Sequence, residues 1–413
     1  MGKGREGNLA LKFEVMEFVP VMLGSDINTY SMARAFYEAY KIKSIVIGKA
    51  DTGPSCNSKI IDFFADSELD RPQVFIKVVN ELAAKYQDQK VILIGCGDNY
   101  VEQIIQNKDH LRENIIAPYI DEDLMRDLLT KEKFYQMCDK HNLDYPRTFI
   151  YTRNMGENIG LPFDFPVILK PSSGIMYWEH EFPGQKKVYR LNNMAELKKV
   201  IDQIYQAGYE DNLIIQDFIP GDDSYMRVMT TFSGRDKKIQ LMSMGHALLE
   251  EHTPHGLGNT SAIINDYNEE LSARIKGFLE GIGYEGLANF DIKYDQRDGK
   301  YKIFEINVRQ GRNNYYVTGA GYNLAQYVVN EYIYNKRADL VIANNDFLWT
   351  VIPVKIVFQY VKKPQYLERV KQLIKDKKVF NPLFLRGDSG LKRLVYLYKS
   401  HLSHFYKYKK YYP

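Results

Sequence analysis

The chain has 413 residues, a length that suits two or three domains with ample hydrophobic core. Aromatic residues make up 13% and charged residues 26%, which is typical of a folded globular protein and excludes a disordered one. No run of 18 apolar residues exists, and residues 1–13 are polar without the apolar core of a signal peptide, so we expect a cytoplasmic protein. Three scattered cysteines (Cys56, Cys96 and Cys138) form neither a disulfide framework nor a zinc motif.

The first segment, residues 15–120, alternates apolar strands with helical patterns. Such alternation predicts a doubly wound parallel sheet, an α/β fold whose ligands gather at the carboxyl ends of the strands. Gly24, Ser25 and Asp26 follow the first strand, and the glycine-containing stretch 95–98 follows the third. We interpret these turns as one substrate-binding edge, although ordinary turn chemistry explains each of them equally well. The predicted strands are 18–23, 44–48 and 91–95, and the predicted helices are 28–40 and 74–86.

Two lysines stand out in the second segment, residues 121–213. Lys133 lies on a predicted helix, and Lys170 ends a buried strand of four apolar residues. Three small residues, Ser172, Ser173 and Gly174, follow that strand. A surface position is the ordinary alternative for either lysine, and Lys170 fits it least because of its apolar surroundings.

The third segment, residues 214–345, contains two strands with carboxylates inside apolar runs. Residues 295–300 supply hairpin-turn chemistry between these strands. A tight hairpin sets Asp291 beside Glu305, with Asn307 on the same face because side chains alternate along a strand. Three hard oxygen ligands at one point suit Mg²⁺ that also binds nucleotide phosphates, and so predict a phosphoryl-transfer site. The alternative, a solvated hairpin, leaves the apolar flanks of both carboxylates unexplained.

The order of these motifs resembles that of the ATP-grasp superfamily across residues 120–335. The order is Lys133, Lys170, the stretch 216–223, and then Asp291, Glu305 and Asn307. The whole chain from residue 19 onward also resembles the D-aspartate ligases of Gram-positive cell-wall synthesis. The resemblance implies ATP and Mg²⁺ as cofactors. It also implies an ATP-grasp fold of a doubly wound N-terminal domain (15–120), a central α+β lid subdomain (121–213) and a C-terminal α+β metal-binding subdomain (214–345).

The resemblance gives the two lysines and the small-residue loop a role with ATP phosphates. An ammonium is a compact point charge that suits phosphate, so Lys133 and Lys170 would bind these groups. The backbone of Ser172, Ser173 and Gly174 would close over a phosphate, as in an anion-binding nest. The loop lacks the longer glycine run that many relatives have.

The stretch 216–223 would bind the nucleoside. Gln216, Phe218 and Ile219 would border the adenine, where relatives usually have glutamate at the first of these positions. Asp223 would bind the ribose hydroxyls, and an exposed turn aspartate is the equally good alternative.

The loop after the metal hairpin would act on the substrates. A strand that turns into a loop can aim the Arg309 guanidinium at a carboxylate or a forming acyl phosphate. The resemblance makes Arg309, Lys170 and Gly311 the catalytic residues. The composition of residues 250–260 predicts a mobile flap over the active site. Its histidines are interpreted either as a general base or as ordinary residues of a polar loop. The substrate-binding residues would be Gly24, Ser25, Asp26, Arg309 and Arg312.

The implied reaction is ATP-dependent ligation of a carboxylate to an amine. The carboxylate attacks the γ-phosphate of ATP to give an acyl phosphate, and the amine then displaces phosphate to form an amide. The implied acid is D-aspartate, through its β-carboxylate, and the implied acceptor is the lysine side chain of a UDP-linked muropeptide (UDP-MurNAc-pentapeptide). The alternatives are another amino-acid or dipeptide ligase, or a nucleotide-binding regulatory module without turnover.

The last segment, residues 346–413, predicts a basic helical appendage. From residue 355 onward there are fifteen Lys and Arg against three acidic residues, a local net charge of +12. An amphipathic pattern follows residue 389 and predicts a helix that either packs on the body or makes peripheral contact with anionic lipid. No nucleic-acid-binding module is recognisable, so we expect no nucleic-acid partner. The apolar positions of the pattern are Leu391, Leu394, Val395, Tyr398, Leu402 and Phe405.

Overall fold

The computed structural model describes residues 17–413 apart from Glu157, Ser173, His255 and Ser389. The predicted loop residue Ser173 and the flap histidine His255 therefore lie outside the described residues, as do residues 1–13. The described residues form three β-sheets with helices packed against them. None of the helices in these ranges combines the length and hydropathy that a membrane crossing needs.

The N-terminal sheet consists of five short strands that pair in parallel. They are β1 (Phe18–Leu23), β2 (Ser44–Gly48), β3 (Ile61–Ala65), β4 (Lys90–Gly95) and β5 (Ile115–Ile116), and the helices around them are α1 (Ile27–Tyr40), α2 (Pro72–Lys85) and α3 (Asp98–Gln106). The order β3-β2-β1-β4-β5 places β1 and β4 side by side, so the loops after them meet at one edge of the sheet. The predicted doubly wound parallel sheet is confirmed.

The second sheet has four antiparallel strands in the order β6-β9-β7-β8. Its elements are β6 (Thr148–Tyr151), β7 (Val167–Pro171), β8 (Tyr189–Leu191) and β9 (Leu213–Asp217), with α4 (Glu122–Leu129), α5 (Lys131–Lys140), α6 (Gly174–Glu179) and α7 (Met194–Gln206). The strand β9 pairs with both β6 and β7. The boundary predicted between residues 213 and 214 therefore cuts a strand that belongs to this sheet.

The third sheet is the largest, with eight strands in the order β14-β13-β10-β11-β12-β16-β17 and β15 beside β11. The predicted hairpin of the carboxylates is confirmed as β13 and β14. The last two strands come from the segment predicted as a helical appendage, so that segment also completes the sheet. The strands are β10 (Met226–Ser233), β11 (Ile239–Glu250), β12 (Thr260–Asp266), β13 (Gly286–Asp295), β14 (Lys300–Asn307), β15 (Val341–Ala343), β16 (Leu348–Thr350) and β17 (Val379–Phe380). The helices are α8 (Glu269–Gly281), α9 (Tyr315–Gly319), α10 (Leu324–Tyr332), α11 (Val354–Tyr360), α12 (Pro364–Lys375) and α13 (Leu391–Tyr411).

Helix α13 packs on the body with a different face from the one its apolar pattern predicts. Leu391, Val395, Tyr398 and Leu402 are 80%, 61%, 54% and 57% exposed. The buried positions are Arg393, Leu397, His404 and Tyr408, on the opposite side of the helix. The reason is that the surface beneath α13 contains polar groups. Cationic and aromatic side chains of the helix can pair with these groups, whereas aliphatic side chains would leave them buried without partners.

The buried ion pair between Arg393 and Asp388 anchors the start of α13 to helix α1 and to the loop before β3. Both side chains are fully buried, and Arg393 Nε lies 2.9 Å from Asp388 Oδ2. Asp388 also accepts hydrogen bonds from the Tyr30 hydroxyl (2.7 Å), the Ser58 hydroxyl (2.8 Å) and the Lys59 backbone N–H (2.7 Å). A buried carboxylate with this many donors is fully compensated, and losing one partner would leave the other charge unpaired.

Candidate active site

The hairpin of β13 and β14 brings the three predicted metal ligands together. Asp291 pairs directly opposite Glu305, and Asn289 pairs opposite Asn307. The amide of Asn307 lies 3.3 Å from a carboxylate oxygen of Asp291. A bulge between Asp291 and Ile292 shifts the register of the two strands. It separates the end of the hairpin that carries the three predicted ligands from the rest of the ladder.

The charges of this cluster suit a hard divalent cation. Burial and the adjacent Glu305 carboxylate raise the pKa of Asp291 to about 7. The Lys131 ammonium holds the pKa of Glu305 well below its usual range. The part of the chain that the structure describes has no group of three or more His, Cys, Asp or Glu side chains arranged for a metal. The predicted ligands at this point are two carboxylates and one amide. That donor set fits Mg²⁺, which takes one or two carboxylates and completes its shell with water and phosphate.

The lysine that reaches this cluster is Lys131 rather than Lys133. Lys131 Nζ lies 2.6 Å from Glu305 Oε2, and its side chain is 16% exposed. Lys133 Nζ instead lies 2.6 Å from Asp127, and its side chain is 52% exposed. Positions two apart on a helix point in nearly opposite directions, so only one of the two lysines can face the cleft.

Lys170 lies on β7 close to the same cluster. Burial and the neighbouring Lys131 ammonium lower its pKa to about 7, while the Glu305 carboxylate opposes this shift. The backbone N–H of Ser172, just after β7, donates to the carbonyl of Asn212 (3.0 Å), and Gly174 begins α6. The structure therefore brings Lys170 and Lys131 to the carboxylates from two different elements.

Gln216 lies inside the second sheet, with backbone partners on both sides. It pairs with Thr148 of β6 and with Ile168 of β7. Its side-chain amide donates to the hydroxyls of Tyr135 (2.9 Å) and Thr148 (2.8 Å). The side chain therefore links β9 to α5 and β6, a bracing contact that the sequence pattern did not indicate.

Phe218 and Ile219 follow β9, where the backbone leaves the sheet ladder. Ile219 is buried. The ring of Phe218 makes cation–π contacts with Arg190 and Lys293, whose charged groups lie 4.2 Å and 5.6 Å from the ring centroid. A backbone edge free of the ladder next to apolar side chains can accept the base of a nucleotide.

Asp223 is buried rather than an exposed turn residue. Its carboxylate accepts from the Glu250 backbone N–H (2.9 Å) and lies 3.0 Å from Nε2 of His252. His252 belongs to the stretch predicted as a flap, and its ring contacts that of Tyr412 edge-on at 4.9 Å. The flap is therefore held against the chain beyond α13, and the histidine of its described part pairs with the predicted ribose ligand.

Arg309 lies between the hairpin and the N-terminal sheet. Its guanidinium donates to both carboxylate oxygens of Asp98, at 2.7 and 3.1 Å, and to Asn307 Oδ1 at 3.3 Å. Asp98 begins α3, directly after the 95–97 turn that follows β4. The predicted substrate-binding edge therefore contributes Asp98, the residue that orients Arg309.

Gly311 is required by close packing and not by its own backbone angles. A Cβ atom there would lie 2.7 Å from Asn289 Oδ1 and 2.6 Å from Asn313 Oδ1. Asn289 contacts Asp291, so a side chain at position 311 would displace a neighbour of the metal cluster.

Ser25, Asp26 and Arg312 line one cavity of about 300 Å³. Gly24 follows β1 with a φ of +134°, and Asp26 caps α1 by accepting from the Thr29 backbone N–H at 3.1 Å. Burial lowers the pKa of Arg312, and the Asp26 carboxylate opposes this shift. Three of the five predicted substrate residues, Ser25, Asp26 and Arg312, therefore line one cavity, whereas Gly24 and Arg309 are not part of its lining.

Sequence reasoning missed the roles of three side chains that shape the site. Lys131 was not singled out, and Asp98 was included only as part of the predicted edge, without its contact to Arg309. The third is Arg297, in the hairpin turn, which donates to both carboxylate oxygens of Asp217 (3.0 Å each) and so joins the hairpin to the end of β9. Helix phase could have indicated Lys131, but no local signal connects Asp98 or Asp217 to partners 211 and 80 residues away.

One characterised protein is similar to this chain along nearly its whole length. The D-aspartate ligase of Enterococcus faecium (strain Aus0004) is 40% identical over 407 residues, which cover 95% of this chain and 97% of that protein. No protein-family model matches the chain.

Solved structures share the fold at low sequence identity. N5-carboxyaminoimidazole ribonucleotide synthetase, in an ADP complex, superposes with a TM-score of 0.61 at 13% identity over 88% of this chain and 97% of that one. The L-amino acid ligase of Bacillus licheniformis gives a TM-score of 0.54 at 14% identity, over 76% of this chain and 74% of that one. The biotin carboxylase domain of the Hydrogenobacter thermophilus 2-oxoglutarate carboxylase gives 0.60 at 12% identity, over 81% and 74%.

Proposed function

We propose that this chain joins the β-carboxylate of D-aspartate to the lysine side chain of a UDP-linked muropeptide. The chain belongs to the D-aspartate ligase family of the ATP-grasp superfamily and is an ATP-dependent amide-forming ligase. The observation that carries the proposal is the 40% identity to a D-aspartate ligase over 95% of the chain. The cluster around Glu305 supports it, because two lysines and an arginine surround paired carboxylates at one point. We further propose a cytoplasmic location, where ATP is available.

The reaction has two steps. A carboxylate oxygen of D-aspartate attacks the γ-phosphorus of ATP, the bond to the bridging oxygen breaks, and ADP leaves. The lysine amine then attacks the acyl carbon, the carbon–oxygen bond to phosphate breaks, and the amine loses a proton as the amide forms. The protein supplies position and charge and needs no covalent nucleophile.

The cationic side chains neutralise charge in the first step. Lys131 and Lys170 reach the carboxylates from α5 and β7, where they would contact the phosphates of ATP. Asp291, Glu305 and Asn307 would hold Mg²⁺, which supplies charge neutralisation between the carboxylates and the phosphates. Phe218 and Ile219 would border the adenine and Asp223 the ribose; these assignments are supported by the free backbone after β9 and by the buried carboxylate. Ser172 and Gly174 would lie over a phosphate.

Arg309 would stabilise the negative charge that develops on the acyl group. Asp98 fixes its guanidinium through two hydrogen bonds, so the group is oriented before substrate binds. Preorganised donors of this kind lower the barrier because they do not reorganise during the reaction. The amino-acid substrate would bind in the cavity beside it, with its ammonium toward Asp26 and its unreactive carboxylate toward Arg312.

The test measures ADP and phosphate release with D- and L-amino acids, with and without the muropeptide acceptor. We expect turnover with D-aspartate and acceptor, and little with L-aspartate. Turnover with a different amino acid and none with D-aspartate would favour a related amino-acid or dipeptide ligase. Nucleotide binding without ADP formation under any condition would favour a regulatory module.

A second property, contact with anionic membrane, is favoured by the exposed face of α13. This face carries the exposed apolar residues Leu391, Val395, Tyr398 and Leu402, and it is flanked by the exposed lysines Lys392, Lys399, Lys409 and Lys410. Such a pattern suits a negatively charged surface, because apolar side chains insert while lysines meet headgroups.

Co-sedimentation with vesicles tests this property. The double variant Val395→Glu/Leu402→Glu should lose binding to phosphatidylglycerol vesicles, whereas Ile374→Glu, at an exposed apolar position of α12, should bind as the wild type does. Phosphatidylcholine vesicles should bind none of them. Wild-type protein that stays in the supernatant with anionic vesicles would end the proposal.

A further inference from the structure

The cavity beside Arg312 has a wall that the sequence did not assign to any site. One side comes from the loops of the N-terminal sheet, including Ser25 and Asp26. The other side comes from α13, through Tyr396, Leu397, Ser400, His401 and His404. A helix that closes a substrate-sized space contributes to what the space can bind.

His404 is the member of this wall without a full set of partners. It is 7% exposed, and its Nδ1 atom is buried with no hydrogen-bond partner among the described residues. His401 differs, because its Nδ1 lies 3.0 Å from the Val351 carbonyl oxygen and its ring packs edge-on against Phe384. Buried polar atoms are rarely left unpaired, so this imidazole at the lining of the cavity still has a nitrogen free to pair with a ligand.

The charges around His404 identify the class of that ligand. Lys407 and Arg312 are near enough to shift its titration, and so is Glu251, which Lys407 contacts at 3.1 Å. The Arg312 guanidinium donates to the Thr260 carbonyl (3.4 Å) and also lines the cavity. A guanidinium and an imidazole that line the same cavity suit a carboxylate, and the Asp26 carboxylate in that lining can accept an ammonium.

We propose that His404, together with Arg312, binds the carboxylate of the amino-acid substrate that does not react, so that α13 forms part of the acid-binding site. This inference rests on the proposed function and deepens it. The imidazole donates a hydrogen bond to a carboxylate oxygen, and Arg312 supplies the charge. The reacting carboxylate then points toward Arg309, while Asp26 meets the ammonium.

The experiment compares D-aspartate with β-alanine, which has the same reacting carboxylate and ammonium but lacks the second carboxylate. His404→Gln and His404→Phe should each raise the KM for D-aspartate by about tenfold or more, since one hydrogen bond to a charged group is lost or weakened. The KM for ATP should not change. We expect the wild type to use β-alanine slowly, and the same substitutions should change that rate little, because the compound does not use the lost contact.

Thermal unfolding separates this role from a structural one. His404→Phe removes a buried nitrogen that has no partner, so its Tm should equal or exceed that of the wild type. A structural histidine would instead lower the Tm when replaced. His110→Gln, at an exposed histidine of the N-terminal region, is the matched control and should leave both KM values unchanged.

Two results would overturn the inference while leaving the proposed function intact. The first is wild-type turnover with D-aspartate together with an unchanged KM for D-aspartate in both variants. The second is an equal loss with D-aspartate and with β-alanine. A wild-type protein that forms no ADP with D-aspartate would instead remove the proposed function itself.

Discussion

Lys131 and Glu305 form an ion pair of 2.6 Å between two elements that lie 174 residues apart in the sequence. The lysine keeps the carboxylate ionised, as the lowered pKa of Glu305 shows. The carboxylate in turn holds the lysine at the mouth of the cleft instead of in solvent. A phosphate that enters the cleft therefore meets an ammonium that is already in place.

Replacing Lys131 by Met should lower the rate of ADP formation by about 10²-fold or more and raise the KM for ATP, because a preorganised cation is removed. Lys133→Met is the matched control on the same helix, and its kinetics should stay within about twofold of the wild type. Steady-state ADP release over a range of ATP concentrations measures both. A larger loss in the Lys133 variant would reverse the assignment.

Glu305→Gln should abolish Mg²⁺-dependent ADP formation and leave the fold intact. A neutral amide cannot replace a carboxylate between metal and phosphate. Thermal unfolding should show a cooperative transition with a lower Tm, since the loss of the Lys131 ion pair outweighs the relief of repulsion with Asp291. The exposed Glu270→Gln variant should keep wild-type activity at every Mg²⁺ concentration. Wild-type turnover in Glu305→Gln would remove the hairpin from the active site.

Arg309→Lys should lower the rate of amide formation by about 10²-fold, because a point charge cannot reproduce a planar fork. Asp98→Asn should have a smaller effect, about tenfold on kcat with little change in the KM for ATP. The reason is that Asp98 orients the guanidinium but does not touch the substrate. Single-turnover measurements of the product amide separate these effects from nucleotide binding. Asp109→Asn, at an exposed aspartate, is the control. If the two variants have the same kcat, then the orientation of Arg309 does not depend on Asp98.

Acid should destabilise the protein partly through His246. Burial and the nearby Arg227 lower the pKa of His246 to about 3, against 6.5 in an unfolded chain. The ring is neutral in both states above pH 6.5. Below it the unfolded chain takes up a proton and the folded one does not, so the free energy of unfolding falls as the pH falls from 6.5 toward 3.

Urea unfolding of the wild type and of His246→Asn at pH 7.5, 6.5 and 5.5 measures this. The difference in unfolding free energy between the two proteins should shrink as the pH falls, since the variant lacks the group. The exposed His110→Asn variant is the control. A flat difference for His246→Asn would mean that the folded protein protonates this ring normally.

The hairpin could be predicted from sequence because its information is local. Alternating apolar residues around Asp291 and Glu305 define both strands, and a turn lies between them. The parallel sheet was readable for the same reason, from apolar runs that end in glycine-containing turns.

Phase and distance account for what could not be predicted. Lys131 and Lys133 are chemically alike, and only the direction of α5 decides which one faces the cleft. The pattern of α13 identified its apolar stripe correctly, but the body buries the opposite face with Arg393, whose guanidinium contacts Pro54 and the ring of Tyr30, far away in the sequence. Similarly, the partner of Arg309 lies 211 residues earlier.

The anchor between Asp388, Arg393 and Tyr30 has a consequence for how the chain is made. The hydroxyl of Tyr30 and the carboxylate that it binds are 358 residues apart. During synthesis the N-terminal sheet therefore emerges long before the helix that covers this part of it, and at the usual rate of about 5–20 residues per second the delay lasts tens of seconds. Throughout that interval α1 exposes to solvent and chaperones a surface that the finished protein buries.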